Sequence, residues 1–582
     1  MSSIESNKEF IRLILNHEGV LKAEWVVHQW RKDFVKSYQS LEEEGLVIRL
    51  IGWKGSSQVS RNDVFFLDII TEMNDGSISL PEISGYYSIR AEIGIGKADG
   101  FFPFFQSNEL KVEGTNKHER SKTGAVWTPI NMIDKGKWPQ LAAGYTYYEK
   151  SSSELQKACQ LNSGTFQETV TSDVFYSVHS SHNLLLHEEI KHKYHIVMLS
   201  WEFPPAVIGG LGQHVWQLSR QLALAKAGHD VSVVTPHCLG APEMETVEGI
   251  KVYRAKEVDV SYDDFHLFVA QTNMNLVERV RNISSHNKVT FIHAHDWLVG
   301  FAARALQNSM KLPIVSTIHA LEEGRSNLES PMQIQTAKWE ELLIQHSDVL
   351  IVCSMYMKKE VEKRISGEKK VYIIPNGVDL SDEESSSVQD FINRRSFSHL
   401  VLFLGRMVPE KGITPLIDAA KKIHETYPEC LFILAGKGPY LSDYKALVRK
   451  EGLEKHMLFI GYVNEREKAT LLKRCDMLVV PSSYEPFGIV AIEGMAAGKP
   501  VIAARTGGLS SIINDGETGI LFEPENVSNL SEKISTLIED PTLCEKLGEK
   551  ASNEVKQKYN WEDVREQTEA VYETTVTTSS VQ

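Results

Sequence analysis

Several things are scarce in this chain, and each scarcity removes a class of function. Basic residues number 62 against 77 acidic ones, for a net charge of −15. That leaves no broad basic footprint for nucleic acid or an anionic membrane, although a local basic cleft remains compatible with the count. Six cysteines, at 159, 238, 353, 430, 475 and 544, form no C-x-x-C pair and fit no zinc spacing. They read as reduced thiols in a reducing compartment. No apolar run approaches about eighteen residues, so no transmembrane helix is expected. The opening MSSIESNKEF has no basic region followed by an apolar run, so no signal peptide is expected. A cytoplasmic protein is the prediction. No G-x-G-x-x-G is present, which counts against a dinucleotide oxidoreductase.

What is present changes character near residue 190. A chain of 582 residues suggests three or four domains. Residues 1–150 read as an accessory domain. Apolar positions at Phe10, Ile11, Leu13, Ile14, Trp25, Val26 and Trp30 predict helices over 7–48. The runs LVIRLIGW, DVFFLDII, YYSIRAEIGI and FFPFF predict a small β-rich, sandwich-like remainder. Tyr86, Tyr87, Phe101 and Phe104 are either sugar-stacking aromatics or plain β-domain core. Residues 151–190 read as a linker.

From 191 the rhythm is β-α-β. HIVMLSW, DVSVVTP, VTFIHAHDW, PIVSTIHA, DVLIVCS and VYIIPNGV form one set of strand-length runs, over 191–380. LVLFLGR, LFILAGKG, MLFIGYV, MLVVPSS and PVIAAR form a second, over 381–560. Amphipathic stretches between the runs predict two α/β domains, each a doubly wound parallel sheet with helices on both faces. Residues 561–582 are expected to hold one more helix and a disordered tail, TTVTTSSVQ.

The candidate site residues follow these runs, where ligands of such sheets bind. Glu485-Pro-Phe-Gly-Ile-Val-Ala-Ile-Glu493 follows MLVVPSS, with a turn at Gly488 and a helix after it. A helix N-terminus there is a ready anion site. Glu485 can accept bonds from sugar hydroxyls, and Glu493 lies two turns on, a further ~10 Å, a distance that suits a ribose. An isolated pair of glutamates reads equally as one solvated and one capping carboxylate. The loop Gly405-Arg406-Met-Val-Pro-Glu-Lys411-Gly412 brings two cations toward one diphosphate, whose leaving charge they would stabilise without a metal. Gly209-Gly210-Leu-Gly212 opens a helix and lets backbone approach a phosphate or sugar. In His293-Ala-His295-Asp296-Trp297, His295 could bond a sugar hydroxyl and Asp296 could orient a neighbour. His293 and His295 are expected on opposite faces of the strand, which leaves no metal pair. His319, Glu322 and Glu323 have similar but weaker claims, Asn376–Asp379 would mark the crossing between the domains, and Thr506–Gly508 with Asn514–Gly516 read as turns lining later loops.

Taken together, these motifs resemble glycosyltransferase family 4, over roughly 193–573. The resemblance implies a GT-B architecture of two Rossmann-like domains facing a cleft, and sugar transfer with retention from a nucleoside-diphosphate sugar, UDP- or ADP-linked, to a glycan or small hydroxyl acceptor. It implies no metal or other cofactor. Arg406 and Lys411 would hold the diphosphate, Glu493 the ribose, and Glu485 with the backbone of Phe487, Gly488, Ile489 and Val490 the donor sugar. Gly209 and Gly210 would face the donor from across the cleft, His295 would sit at the sugar's reacting face, and the helix around Trp561 would cross back onto the first domain. WEFPPAVIGGLGQHVWQLSRQLA also looks like bacterial glycogen or starch synthases, but Val207-Ile208 stand where those enzymes carry a lysine before the two glycines. The open readings are a family 4 hexosyltransferase, α-glucan elongation, and a non-catalytic nucleotide-sugar binder on the same scaffold. A pyridoxal phosphate-dependent phosphorylase would need a lysine motif that the chain lacks.

Overall fold

The computed structural model describes residues 9–15, 21–38, 46–53, 64–71, 75–80, 88–97, 100–107, 110–111, 128–129, 193–207, 209–224, 226–258, 265–380 and 383–579. The predicted linker 151–190, Ile208, Tyr86 and Tyr87 lie outside them, as does the Phe101 side chain.

Among its described residues, the amino-terminal part holds two antiparallel sheets and one helix. Phe10–Leu15, Leu21–Val26 and Asp75–Ser79 make a three-stranded sheet. The second sheet runs Gly100–Gln106, Ser88–Lys97, Leu46–Trp53, Val64–Thr71, Thr128–Pro129, with Leu110–Lys111 paired to Ser88–Lys97. This corrects the helical expectation for 7–48, where among the described residues only Gln29–Tyr38 is helix. The burial period decides the matter. Ile11 and Leu13 are buried around an exposed Arg12, and Leu21–Val26 alternates buried and half-buried. That is the two-residue period of a strand, which a cluster of apolar residues at i, i+1, i+3 and i+4 hides in sequence. Phe104 is buried, so it belongs to the core and not to a sugar-stacking surface.

Two parallel sheets follow. The first runs Met244–Val247, Ile250–Arg254, Asp230–Thr235, His195–Ser200, Phe291–His295, Ile314–Ile318, Val349–Val352, Lys370–Ile373, with only its first strand antiparallel. The second runs Met457–Gly461, Cys430–Ala435, His399–Leu404, Met477–Val480, Val501–Ala504, Ile520–Phe522, all parallel. Central strands such as His195–Ser200 are buried at every residue, because helices cover both faces. Among the described residues, no helix is long and apolar enough to cross a membrane. The helix Trp561–Ser579 lies on the first domain. Its Tyr572 hydroxyl meets His293 Nδ1 at 2.7 Å, Glu562 pairs with Lys226, and Gly377 packs flat on the Trp561 ring. Its last turns occupy 574–579, where a disordered tail was expected, because Val571, Tyr572 and Thr575 are buried against that domain.

The amino-terminal part docks on the outer side of the first parallel sheet. In the helix Phe265–Ser284, six consecutive residues, Val269 to Met274, are buried. A helix buried all round is covered on both sides. One side is the sheet. On the other, Gln271 Nε2 donates to the Pro103 carbonyl at 2.7 Å, and Arg31 bridges Glu278 at 2.7 Å and Glu9 at 2.8 Å. Arg31 is only 4% exposed, so removing it takes one charged partner from each of two carboxylates in the seam, leaving Glu278 to Lys256 and Glu9 to the His28 N–H. Arg31→Met is expected to lower the unfolding free energy by about 2 kcal/mol, read by urea unfolding of the full chain. An unchanged midpoint would show that the seam carries no stability.

Candidate functional site

Each parallel sheet has one strand with its sequence successor on one side and a later strand on the other. In the first sheet this is His195–Ser200, between Asp230–Thr235 and Phe291–His295. In the second it is His399–Leu404, between Cys430–Ala435 and Met477–Val480. Successive connections part at such strands and leave a crevice at their carboxyl ends. The glycine turn and His295 stand at the first crevice; Gly405–Gly412 and Glu485 stand at the second.

At the second crevice, Lys411 Nζ reaches Glu485 Oε2 at 2.7 Å, and the Ser482 hydroxyl donates to the same oxygen at 3.3 Å. Both partners keep some exposure, 24% and 14% of their side chains. Glycines make the loop possible. Gly412 has φ +69°, and a Cβ there would sit 1.9 Å from the Pro481 carbonyl oxygen. Thr506, Gly507 and Gly508 brace the loop from beneath. The Gly508 N–H donates to the Glu485 carbonyl at 2.8 Å, the Thr506 hydroxyl donates to the Ser483 carbonyl, and a Cβ on Gly507 would lie 2.2 Å from that Glu485 oxygen. Gly488, at φ +119°, caps the helix Ile489–Ala496. The Phe487 side chain is core, against Tyr559, so its backbone is the part that faces the loop.

The first domain holds the same loop from the opposite side. Tyr484 Oη accepts from the Leu321 N–H at 3.0 Å, and its ring lies on Gly324, where a Cβ would come within 2.0 Å. The Ser354 hydroxyl donates to the Pro486 carbonyl at 2.7 Å. Glu485 thus sits between two residues anchored to the other domain. The glycine turn closes on it as well: Gly210 meets Ile489, where a Cβ on Gly210 would approach Cδ1 to 2.8 Å. The helix starts within the glycine turn, at Gly210. The Gly209 N–H donates to Glu202 Oε2 at 3.0 Å.

Across the crevice stand buried imidazoles. His293 and His295 share a face, with ring centroids 4.2 Å apart. The expectation of opposite faces is wrong, because side chains alternate along a strand and residues two apart return to the same side. His293 turns to Tyr572 and Thr317, away from any ligand role. His295 Nδ1 meets His319 Nε2 at 3.2 Å, and His214 Nδ1 meets Asn376 Oδ1 at 2.7 Å. His295 Nε2 and His214 Nε2 are buried without a hydrogen-bond partner. Burial lowers the proton affinity of all four rings, His214 to about 4 and His293 to about 3. They are neutral, so each ring carries one donor and one acceptor nitrogen. Among the described residues, His214, His295 and His319 form the group that could hold a metal ion, with ligand atoms within 4.8 Å of one another.

Asp296 orients this wall. It takes φ 62° at the strand end and accepts from the His319 N–H at 2.7 Å. Burial raises its pKa to about 7 against the pull of the His319 and Ala320 amides and Arg325. Such backbone strain persists where surrounding bonds hold it.

Two family models match the chain: Glycosyltransferase Family 4 over residues 208–382 and Glycosyl transferases group 1 over 389–554. The glycogen synthase of Mycobacterium tuberculosis is 32% identical over 395 residues, covering 65% of this chain and 94% of that protein. The chain belongs to the family 4 glycosyltransferases. Sucrose-phosphate synthase from Thermosynechococcus elongatus has a similar structure, with a TM-score of 0.58 and 25% identity, over 66% of this chain and 99% of that one. Anabaena HepE in complex with UDP-glucose matches at 20% identity and a TM-score of 0.51, over 66% of this chain and all of that one. Its likeness is one of GT-B fold.

The glycosyltransferase thus joins Lys411 to Glu485 and sets the Gly210 turn against Ile489 at the helix start after Gly488, while Arg406 lies on the same loop as Lys411 and His295 stands with His319 and His214 on the first domain. Glu493 lies farther along its helix, buried, with Lys468 Nζ at 2.6 Å from Oε1. Glu322 is buried, its N–H donating to both oxygens of Glu340 at 2.9 Å, while Glu323 is exposed and pairs with Arg364. Motif reading missed Tyr484, Ser354, Glu202, Lys468 and Glu340. Their roles come from pairing across the fold and leave no local signature.

Glu340 titrates in a useful window. Burial raises its pKa to about 8, opposed by the Glu322 amide and Arg325. A folded pKa above the unfolded value near 4.3 means that this group's contribution is full at low pH and is lost as pH climbs toward 8. From pH 6 to pH 7 the wild type is expected to lose about 1 kcal/mol of unfolding free energy relative to Glu340→Gln. Parallel pH dependences of the two proteins would contradict this environment for Glu340.

Proposed function

We propose that this glycosyltransferase moves a hexose, glucose, from UDP- or ADP-glucose to a hydroxyl of a glycan or small acceptor, with retention and without a bound metal. The observation that carries the reading is the Lys411–Glu485 pair, on a loop held by both domains.

Arg406 and Lys411 would take the diphosphate from one side, and the helix start at Gly210, next to the Gly209 N–H that Glu202 already holds, from the other. As the bond from the anomeric carbon to phosphate breaks, negative charge gathers on the leaving oxygen. Fixed cations nearby stabilise it more in the transition state than in the ground state. Glu485, relieved of part of its bond to Lys411 by the incoming phosphate, would accept sugar hydroxyls. His295 Nε2, buried and unpartnered, would bond the sugar at its reacting face. Glu493 would accept the ribose hydroxyls. Family likeness supports retention, and HepE, solved with UDP-glucose, supports a nucleotide-glucose donor for a fold of this kind.

α-Glucan elongation is the second reading, favoured by the similarity to glycogen synthase. Val207 in place of a lysine beside the two glycines weighs against it.

Lys411→Ala and Glu485→Ala are each expected to cut kcat by ~10²–10³ or more while leaving the circular dichroism spectrum unchanged. Wild-type turnover by either folded variant would defeat the site assignment. Transfer from UDP- and ADP-glucose, assayed with and without EDTA on glucan and on small sugar acceptors, separates the two readings; loss of activity in EDTA would point to the histidine trio as a metal site.

A further inference from the structure

Glu493 is not alone at the nucleoside end. Lys468 stands on the helix Glu465–Arg474, whose first turn is fixed by a capping box between Asn464 and Glu467. Its ammonium lies 2.6 Å from Glu493 Oε1 and 2.8 Å from Glu465 Oε2. Glu465 in turn accepts from Gln213 Nε2 at 3.1 Å, on the glycine-turn helix of the first domain. The Lys468 side chain is 15% exposed and that of Glu493 9%. A lysine placed there for solubility would reach water. This one lies along a chain of three charged groups that ends on the other domain.

We infer that Lys468 is a positioning residue for the donor's nucleoside, acting through Glu493. The inference rests on the donor reading given above. To accept two ribose hydroxyls a carboxylate has to be ionised and aimed. Burial alone favours its protonated form, in which one oxygen becomes a donor. Burial leaves the Glu493 pKa raised, with Glu465 adding to that and Lys468 opposing it. By occupying Oε1, Lys468 also sets the rotation of the carboxylate, while Oε2 has no protein partner among the described residues. Glu465 keeps the ammonium from swinging to solvent. Neither Lys468 nor Glu465 touches the reacting atoms, so the effect belongs to binding of the nucleoside and not to the chemical step.

The test is calorimetric titration of the full chain with UDP and ADP and with their 2′-deoxy forms. The wild type is expected to bind one ribonucleotide and to lose roughly tenfold on removal of the 2′-hydroxyl, the scale of one hydrogen bond to a charged group. Lys468→Met is expected to bind the ribonucleotide about tenfold more weakly and to bind both forms alike, with kcat at saturating donor near the wild-type value. Lys468→Arg is expected to restore the preference for ribose, which a purely structural lysine would not require. Undiminished discrimination in Lys468→Met overturns the inference while leaving the donor site standing, and failure of Lys468→Arg to restore it does the same. A wild type that ignores the 2′-hydroxyl overturns the Glu493–ribose reading itself, and a wild type that binds neither nucleotide overturns the donor reading. If Lys468→Met does not fold, Lys468→Gln, neutral and of similar reach, replaces it in the same titrations with the same expected loss of discrimination.

Discussion

The segment from Tyr484 to Phe487 has to be gripped by two domains at once while presenting a carboxylate between them. That requirement explains much of the surrounding sequence. Tyr484 can lie flat only because position 324 is glycine, and the loop behind it can come close only because 412, 507 and 508 are glycines. Gly210 allows the helix start of the first domain to meet Ile489. A methyl group at any of these positions would collide with its neighbour, in several cases with backbone, which does not yield as a flexible side-chain tip does. The glycines therefore serve proximity as much as turn formation. Their product is a Glu485 whose main chain is tied down on both sides and whose side chain reaches Lys411.

Electrostatics divides the cleft into two walls of different character. The second domain offers separate charges: Arg406, Lys411, Glu485 and, deeper, the Lys468–Glu493 pair. The first domain offers buried imidazoles held neutral by burial, with Asp296 and Glu340 beneath them pushed toward their protonated forms. The two walls therefore differ in the cost of desolvating charge.

The fold was legible where it rested on periodicity. Eleven strand-length apolar runs of the two parallel sheets appear where expected, since strands buried on both faces read as continuous apolar stretches. The hairpin Met244–Val247 with Ile250–Arg254 and the three-residue edge strand Ile520–Phe522 escaped reading, being short and, in the hairpin, alternating in exposure. Phe10–Val26, within the predicted helices of 7–48, misled because helical and strand patterns overlap in short apolar clusters. The site was legible wherever residues followed a strand end. Glu485 and Lys411 were both singled out, yet their contact spans 74 residues of sequence. Tyr484, Ser354 and Lys468 were invisible because a buried tyrosine, a serine at a helix start and a lysine on a charged helix are ordinary until their partners are known.

A crystal structure with the nucleoside diphosphate that best stabilises the protein tests the central claim most directly. The account predicts the diphosphate oxygens within about 3 Å of Lys411 Nζ and the Arg406 guanidinium, and the ribose on Glu493. A nucleotide seated elsewhere, with Lys411 still bonded only to Glu485, would contradict it.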